Sequence, residues 1–307
     1  MKVAVTGSSG LIGAALVAAL RADGHQVIRL VRTAPAAADA VVWDPRADRG
    51  DLDPRSLDGV AAVVHLAGAG VADKRWTPRY QAEIRDSRVQ GTRALAGALA
   101  AMATPPGVLL SGSAIGWYGD TGGREVTESD PAGTGFLPGL VRAWEAATRD
   151  AARAGIRVVT LRSGVVLSPK AGILGRLLPL FRLGLGGRIG TGQQVMSWIG
   201  LSEWVAAARF LLGRDGVSGP VNLTTPFPVS NAEFTSALAT AVHRPAVLLV
   251  PVPALKLAVG GVSSDILSSA RVLPRRLRDE GYRFRHPGIA AALAAELRGG
   301  APVTAPA

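Results

Sequence analysis

Val3-Ala4-Val5-Thr6-Gly7-Ser8-Ser9-Gly10-Leu11-Ile12-Gly13 is an apolar strand that runs into glycines spaced three apart. Residues 1–6 read as a short buried strand, and Ala14, Leu16, Val17 and Leu20 beyond the glycines have helical spacing. Strand, glycine turn and helix in this order are what a dinucleotide pyrophosphate needs. Gly7 permits the tight turn, Gly10 lets backbone approach phosphate, and Gly13 lets the helix pack close on the strand. Ser8, Ser9, Leu11 and Ile12 complete this candidate phosphate cradle. The helix directs its first amides and its dipole at the anion.

The next strand spans residues 26–32 and follows the turn residues Asp23-Gly24-His25. In an NAD-selective site an acidic side chain near the end of this strand takes the ribose 2′-hydroxyl, whereas an arginine accommodates a 2′-phosphate. Val31 and Arg32 close the strand here, Arg29 is nearby, and no acid occurs until Asp39. The expected cofactor is therefore NADP rather than NAD.

Working outward, strand and helix patterns alternate: strands at residues 41–43, 60–67, 107–111, 157–161 and 220–223, helices at 78–102, 140–154 and 202–212. The fourth strand ends in His65-Leu66-Ala67-Gly68, and Thr104-Pro105-Pro106-Gly107 stops the long helix. This alternation predicts an α/β fold, a doubly wound parallel sheet of Rossmann type with a smaller C-terminal lobe. Residues 1–227 are expected to form the nucleotide-binding domain, with 166–200 contributing to a cover over the cleft. Within that cover, residues 173–187 are apolar and carry Arg176 and Arg182. Residues 228–298 form the lobe, with a helix at 231–242 and a strand at 247–250, and 299–307 read as a disordered tail.

Composition narrows the function further. The chain has 307 residues, 48% hydrophobic and 19% charged, which is ordinary globular material with ample core. Without cysteine it has no disulfide, no thiol nucleophile and no thiolate-ligated metal. Its four histidines lie far apart, so no metal is expected. A strand beginning at residue 3 leaves no room for a signal peptide, and the apolar stretch 246–262 is cut by Pro251, Pro253 and Lys256. A cytoplasmic protein without a membrane partner is the expectation. The net charge of +11 is carried mostly by arginine spread along the chain. One basic run, from Arg271 to Arg285, interleaves Tyr282 and Phe284, but no lysine-rich tail accompanies it, so no nucleic-acid partner is expected. The oligomeric state is not legible.

The order of the remaining motifs resembles that of the extended short-chain dehydrogenase/reductases. Thr6-Gly7-x-x-Gly10-x-x-Gly13 is followed by Leu66-Ala67-Gly68, Ser111-Gly112-Ser113 before Trp117-Tyr118-Gly119, and Leu161-Arg162-Ser163-Gly164-Val165. Gly190-Thr191-Gly192 and Trp198-Ile199-Gly200-Leu201-Ser202-Glu203 continue the series. More narrowly, the chain resembles an epimerase-like family of NADP-binding proteins with its own short C-terminal domain. Ala72-Asp73-Lys74-Arg75-Trp76, Ile84-Arg85-Asp86-Ser87-Arg88, Phe136 with Trp144-Glu145, Arg271-Val272-Leu273-Pro274 and Gly281-Tyr282-Arg283-Phe284 carry that likeness, which extends to about residue 295. Members are commonly labelled sugar-nucleotide epimerases or oxidoreductases by analogy. The resemblance implies cofactor contacts at Val31, Arg32, Leu66, Ala67, Gly68, Glu83, Arg88 and Val165. A guanidinium at Arg88 can pair with the pyrophosphate or with Glu83, one and a half turns back on its helix.

The same resemblance implies a serine that holds the substrate oxygen, a tyrosine that moves its proton and a lysine four residues later. Hydride transfer at carbon must be matched by proton transfer at oxygen, so such a group is chemically required. Ser113 suits the serine, with Ser111 as the alternative. Counting back from Glu145, however, the tyrosine position falls on Leu137 and the lysine position on Val141. Tyr118 is the candidate substitute acid, with Arg142 as the positive charge, and Lys74 and Arg75 are candidates for an anionic substrate. Two functions stay open: an NADP-dependent oxidoreductase or epimerase acting on a small molecule with a nonstandard proton donor, or a catalytically silent NADP-binding sensor or assembly factor.

Overall fold

Seven short segments pair side by side in parallel: β1 (Lys2–Thr6), β2 (Gln26–Val31), β3 (Ala40–Val42), β4 (Ala62–His65), β5 (Val108–Ala114), β6 (Arg157–Ser163) and β7 (Gly219–Leu223). The computed structural model describes residues 1–33, 39–46, 52–71 and 73–299. The strands lie in the order β7-β6-β5-β4-β1-β2-β3, so the order reverses at β1 and opens a crevice beyond the carboxyl ends of β1 and β4. Continuous burial along β1 and β4 explains their apolar runs at residues 3–5 and 62–64, as parallel strands covered by helices on both faces require.

Helices α1 (Leu11–Ala22) and α2 (Pro78–Ala100) follow β1 and β4 as expected. Where one helix was expected over residues 140–154, the chain forms α3 (Phe136–Ala146) and α4 (Arg149–Arg153). The break is local: the Thr148 hydroxyl donates to the Glu145 carbonyl at 2.8 Å and takes the acceptor that the next turn would have used. Strand β5 also runs three residues past its expected end, so Ser113 lies within the strand, opposite Arg162 of β6.

The cover and the lobe form one second core. Helix α5 (Gly172–Arg182) and α7 (Asn231–Ala241), which follows α6 (Leu201–Leu212), pack Leu174, Leu178 and Phe181 with Phe234 and Leu238. The short strand Leu248–Val250 pairs in parallel with Gly187–Ile189, joining the two segments. Residues 271–284 depart from the expected lobe and return to the main domain. There Arg271–Val272 pairs with Glu125–Val126, and Leu277 enters the main core. Tyr282 packs edge-on between Phe210 and Phe284 and donates to the buried Glu203 carboxylate at 2.5 Å. The aromatics interleaved in the basic run are thus core side chains. No helix among the described residues is long and apolar enough to cross a membrane. The expected tail lies, from residue 300 onward, outside the described residues.

Candidate nucleotide cleft and its buried neighbours

The turn after β1 is built by two glycines that tolerate no side chain. Gly7 has φ +66°, and a Cβ there would sit 2.7 Å from the Leu66 carbonyl carbon. A Cβ on Gly13 would stand 2.1 Å from the Gly7 carbonyl oxygen, so α1 lies directly on the turn. Gly10 caps α1 with no side-chain hydrogen bond, which leaves the first amides of the helix for an outside acceptor.

These elements open onto a cleft of about 1360 Å³ along the carboxyl ends of β1 to β4. Gly7, Ser8, Ser9, Gly10, Val31, Arg32, Leu66, Ala67, Gly68 and Glu83 all line it, so ten of the residues singled out from sequence converge there. Leu11, Ile12 and Gly13 do not line it, since they belong to the first turn of α1. The donor set fits a dinucleotide: the Ser8 hydroxyl is buried beside the turn without a hydrogen-bond partner, and the α1 amides are uncapped. Arg32, at the end of β2, has no ion pair among the described residues. The nearby acid, Asp39, is diverted from the cleft. Arg29 donates to Asp39 Oδ1 at 2.7 Å and Arg21 also pairs with it, and the Arg29 hydrogen bond holds its carboxyl below the usual range.

The strand end Leu66-Ala67 is fixed from behind. Thr6 Oγ1 accepts from the Leu66 and Ala67 amides at 3.0 and 3.1 Å. With both lone pairs used, its proton must point to His65 Nδ1, 2.8 Å away. His65 is therefore neutral with its proton on Nε2, which donates to Thr92 Oγ1 at 3.0 Å. Burial pulls the His65 pKa down from 6.5 to about 4. A depressed histidine stabilises the fold fully above its unfolded pKa, and that contribution is lost as pH falls toward the folded value. Stability should drop by about 3 kcal/mol between pH 6.5 and 4, read as urea midpoints across that range. A His65→Gln protein with the same pH slope would contradict this assignment.

Arg88 sits on the other side of the same backbone. Its guanidinium donates to the Ala69 and Ile84 carbonyls at 2.8 and 3.2 Å and lies 5.0 Å over the Trp144 ring. Burial lowers its pKa to about 10. Glu83 instead faces Arg46 at 3.8 Å and Lys74 at 4.0 Å, so of the two pairings open to Arg88 the one with Glu83 is not formed. Val165 lies beyond β6 in a short ladder with Trp198, outside the cleft lining.

Outside the cleft lining, sequence reasoning missed a buried polar group. Ser113 Oγ donates to Glu145 Oε1 at 2.6 Å, and Arg162 donates to both oxygens of the same carboxylate at 2.8 and 3.0 Å. Arg162, 2% exposed, also donates to the Tyr118 hydroxyl at 3.0 Å and stacks 3.9 Å from the Trp117 ring centroid. The available signal was a charged residue inside an otherwise apolar strand, which demands a buried partner. Tyr118 is corrected as a proton donor. It is 3% exposed, its hydroxyl already donates to Asn222 Oδ1 at 2.8 Å, and burial pushes its pKa up to about 12. Leu137 and Val141 fill the space where a tyrosine and lysine would act, with a Cβ on Gly116 falling 3.3 Å from Leu137 Cβ and 3.8 Å from Val141 Cγ2. Lys74 lines the cleft, whereas Arg75 donates to the Leu257 carbonyl at 2.7 Å. No cluster of three or more potential metal-ligating side chains occurs among the described residues.

Sheet order, glycine turn and cleft together define a Rossmann-type nucleotide-binding architecture. The chain belongs to the NAD dependent epimerase/dehydratase family, whose sequence profile matches residues 3–223, and residues 250–296 match a domain of unknown function, DUF1731. It is 47% identical over 292 residues to the epimerase family protein Mb2239 of Mycobacterium bovis, covering 95% of this chain and 96% of that one. The crystal structure of the human epimerase family protein SDR39U1 with NADPH superposes with a TM-score of 0.87 at 31% identity, covering 97% of this chain and all of that one. A nucleoside-diphosphate sugar epimerase structure from Corynebacterium glutamicum gives a TM-score of 0.80 at 37% identity, over 97% of this chain and 58% of that one. The family resemblance read from the motifs, including the C-terminal domain, is borne out.

Proposed function

We propose that the protein binds NADP(H) in the cleft and acts on a small molecule as an oxidoreductase of the short-chain superfamily. The observation that carries the reading is Arg32, a cleft-lining guanidinium without an ion pair among the described residues; Asp39, the first acid after it in the chain, is held by Arg29. The solved human relative with NADPH supports it. The turn from Gly7 to Gly10 and the first amides of α1 would hold the diphosphate, and Arg32 the 2′-phosphate. When bound, the cofactor supplies or accepts hydride. The proton at the substrate oxygen is then handled by Ser113. Its hydroxyl passes a proton to the Glu145 carboxylate while taking one from a substrate hydroxyl, and Arg162 fixes the position of that carboxylate through two hydrogen bonds.

A catalytically silent NADP-binding role is the second reading, favoured by the apolar packing of Leu137 and Val141 on Gly116. Loss of NADPH absorbance with carbonyl compounds or nucleotide sugars, abolished by Ser113→Ala, supports turnover, and none with any candidate supports binding alone. For the cofactor, Arg32→Ala should weaken NADPH by about tenfold or more and leave NADH unchanged. An Arg32→Ala protein that keeps its NADPH preference would refute the assignment.

A further inference from the structure

A phosphomonoester carries nearly two negative charges near neutral pH, and one guanidinium balances only part of that. The outer end of the cleft is built from two adjacent strand ends, Val31, Arg32 and Thr33 after β2 and Trp43, Asp44, Pro45 and Arg46 after β3. The register Val31↔Val42 sets these ends side by side. Asp44 Oδ1 accepts the Arg46 amide at 3.0 Å, a local turn that fixes the Arg46 backbone. Pro45 rests against α2, where a Cβ on Gly91 would meet its Cβ at 3.4 Å.

We propose that Arg46 is a second reader of the 2′-phosphate, acting beside Arg32 from the neighbouring strand; this rests on the NADP(H) reading above. Its partner, Glu83, stands 3.8 Å away with both side chains well exposed, 61% and 40%. An exposed pair at that distance contributes little, so Arg46 can exchange the carboxylate for a dianion at small cost. The Glu83 carboxylate keeps Lys74 as a neighbouring positive charge, 4.0 Å from its other oxygen. Other cations serve this position less well. Lys74 and Arg79 enter the cleft from the β4–α2 side, and Arg29 is committed to Asp39.

Calorimetric titration of the full chain with NADPH and with NADH tests this on wild type, R32A, R46A, R46K and R32A/R46A. R46A should weaken NADPH about tenfold or more and leave NADH within about twofold, with R46K recovering part of the loss through its retained charge. The double variant should bring the two affinities together. Thermal denaturation of R46A should match wild type, since the side chain is exposed. R46A that leaves NADPH affinity unchanged, or that weakens NADPH and NADH equally, overturns the role of Arg46 while R32A still reports on the cofactor reading. A wild-type chain that binds no NADPH overturns both.

Discussion

Arg162→Ala is expected to destabilise the protein by about 3–5 kcal/mol, because it leaves a buried carboxylate without its counter-charge. The guanidinium is tied at once to Glu145 by two hydrogen bonds, to the Tyr118 hydroxyl and to the Trp117 ring. Its loss strips the charge partner from Glu145, and through Glu145 it loosens Ser113. Urea denaturation would show the effect as a lower midpoint with an unchanged slope. Removing both charges in an Arg162→Met/Glu145→Leu double variant should cost much less than the sum of the two single changes, because no orphan charge remains. Additive costs would contradict the view that these residues act as one unit.

Gly13→Ala should reduce NADPH affinity by at least about 100-fold, or roughly 2.7 kcal/mol. The added methyl would fall 2.1 Å from the Gly7 carbonyl oxygen, and that contact is backbone against backbone, so no side chain can swing away. Helix α1 must lift from the turn, which spoils the turn and the helix amides together. Overpacking of this kind should also cost about 1–3 kcal/mol of stability. Gly97→Ala in α2 is the matched control, since nothing lies within 4 Å of its added Cβ. That change should be neutral or stabilising by up to about 1 kcal/mol. Retention of NADPH affinity within about tenfold in Gly13→Ala would show that the close approach of helix and turn is not needed for binding.

The parts of the site legible in the sequence were those that demand special residues in a short stretch. Gly7 and Gly13 declare a turn because no other residue type fits there, and Arg32 declares itself by standing where an acid would otherwise be. The buried constellation was not legible, because its members are brought together by the sheet and not by the chain. Tyr118 and Asn222 meet across 104 residues of separation, and Ser113 and Glu145 across 32. The partners of Arg88 were hidden for a related reason. Its helical position was legible, but the Ala69 carbonyl that it meets is 19 residues away in the chain, and a Cβ on Gly68 would lie only 3.3 Å from Arg88 Cζ. The helix break after Ala146 depended on one hydroxyl choosing a local carbonyl, a competition that apolar periodicity does not register. The return of residues 271–284 to the main domain was hidden because Tyr282 reads as a surface aromatic until its partner Glu203 is in place.

The central claim is that the cleft above the glycine turn selects NADP(H). Isothermal titration of the wild-type chain with NADPH and, separately, NADH tests it most directly. Saturable one-to-one binding of NADPH, tighter than NADH by about tenfold or more, is the predicted result. Equal affinity for the two, or no heat with either, would contradict it.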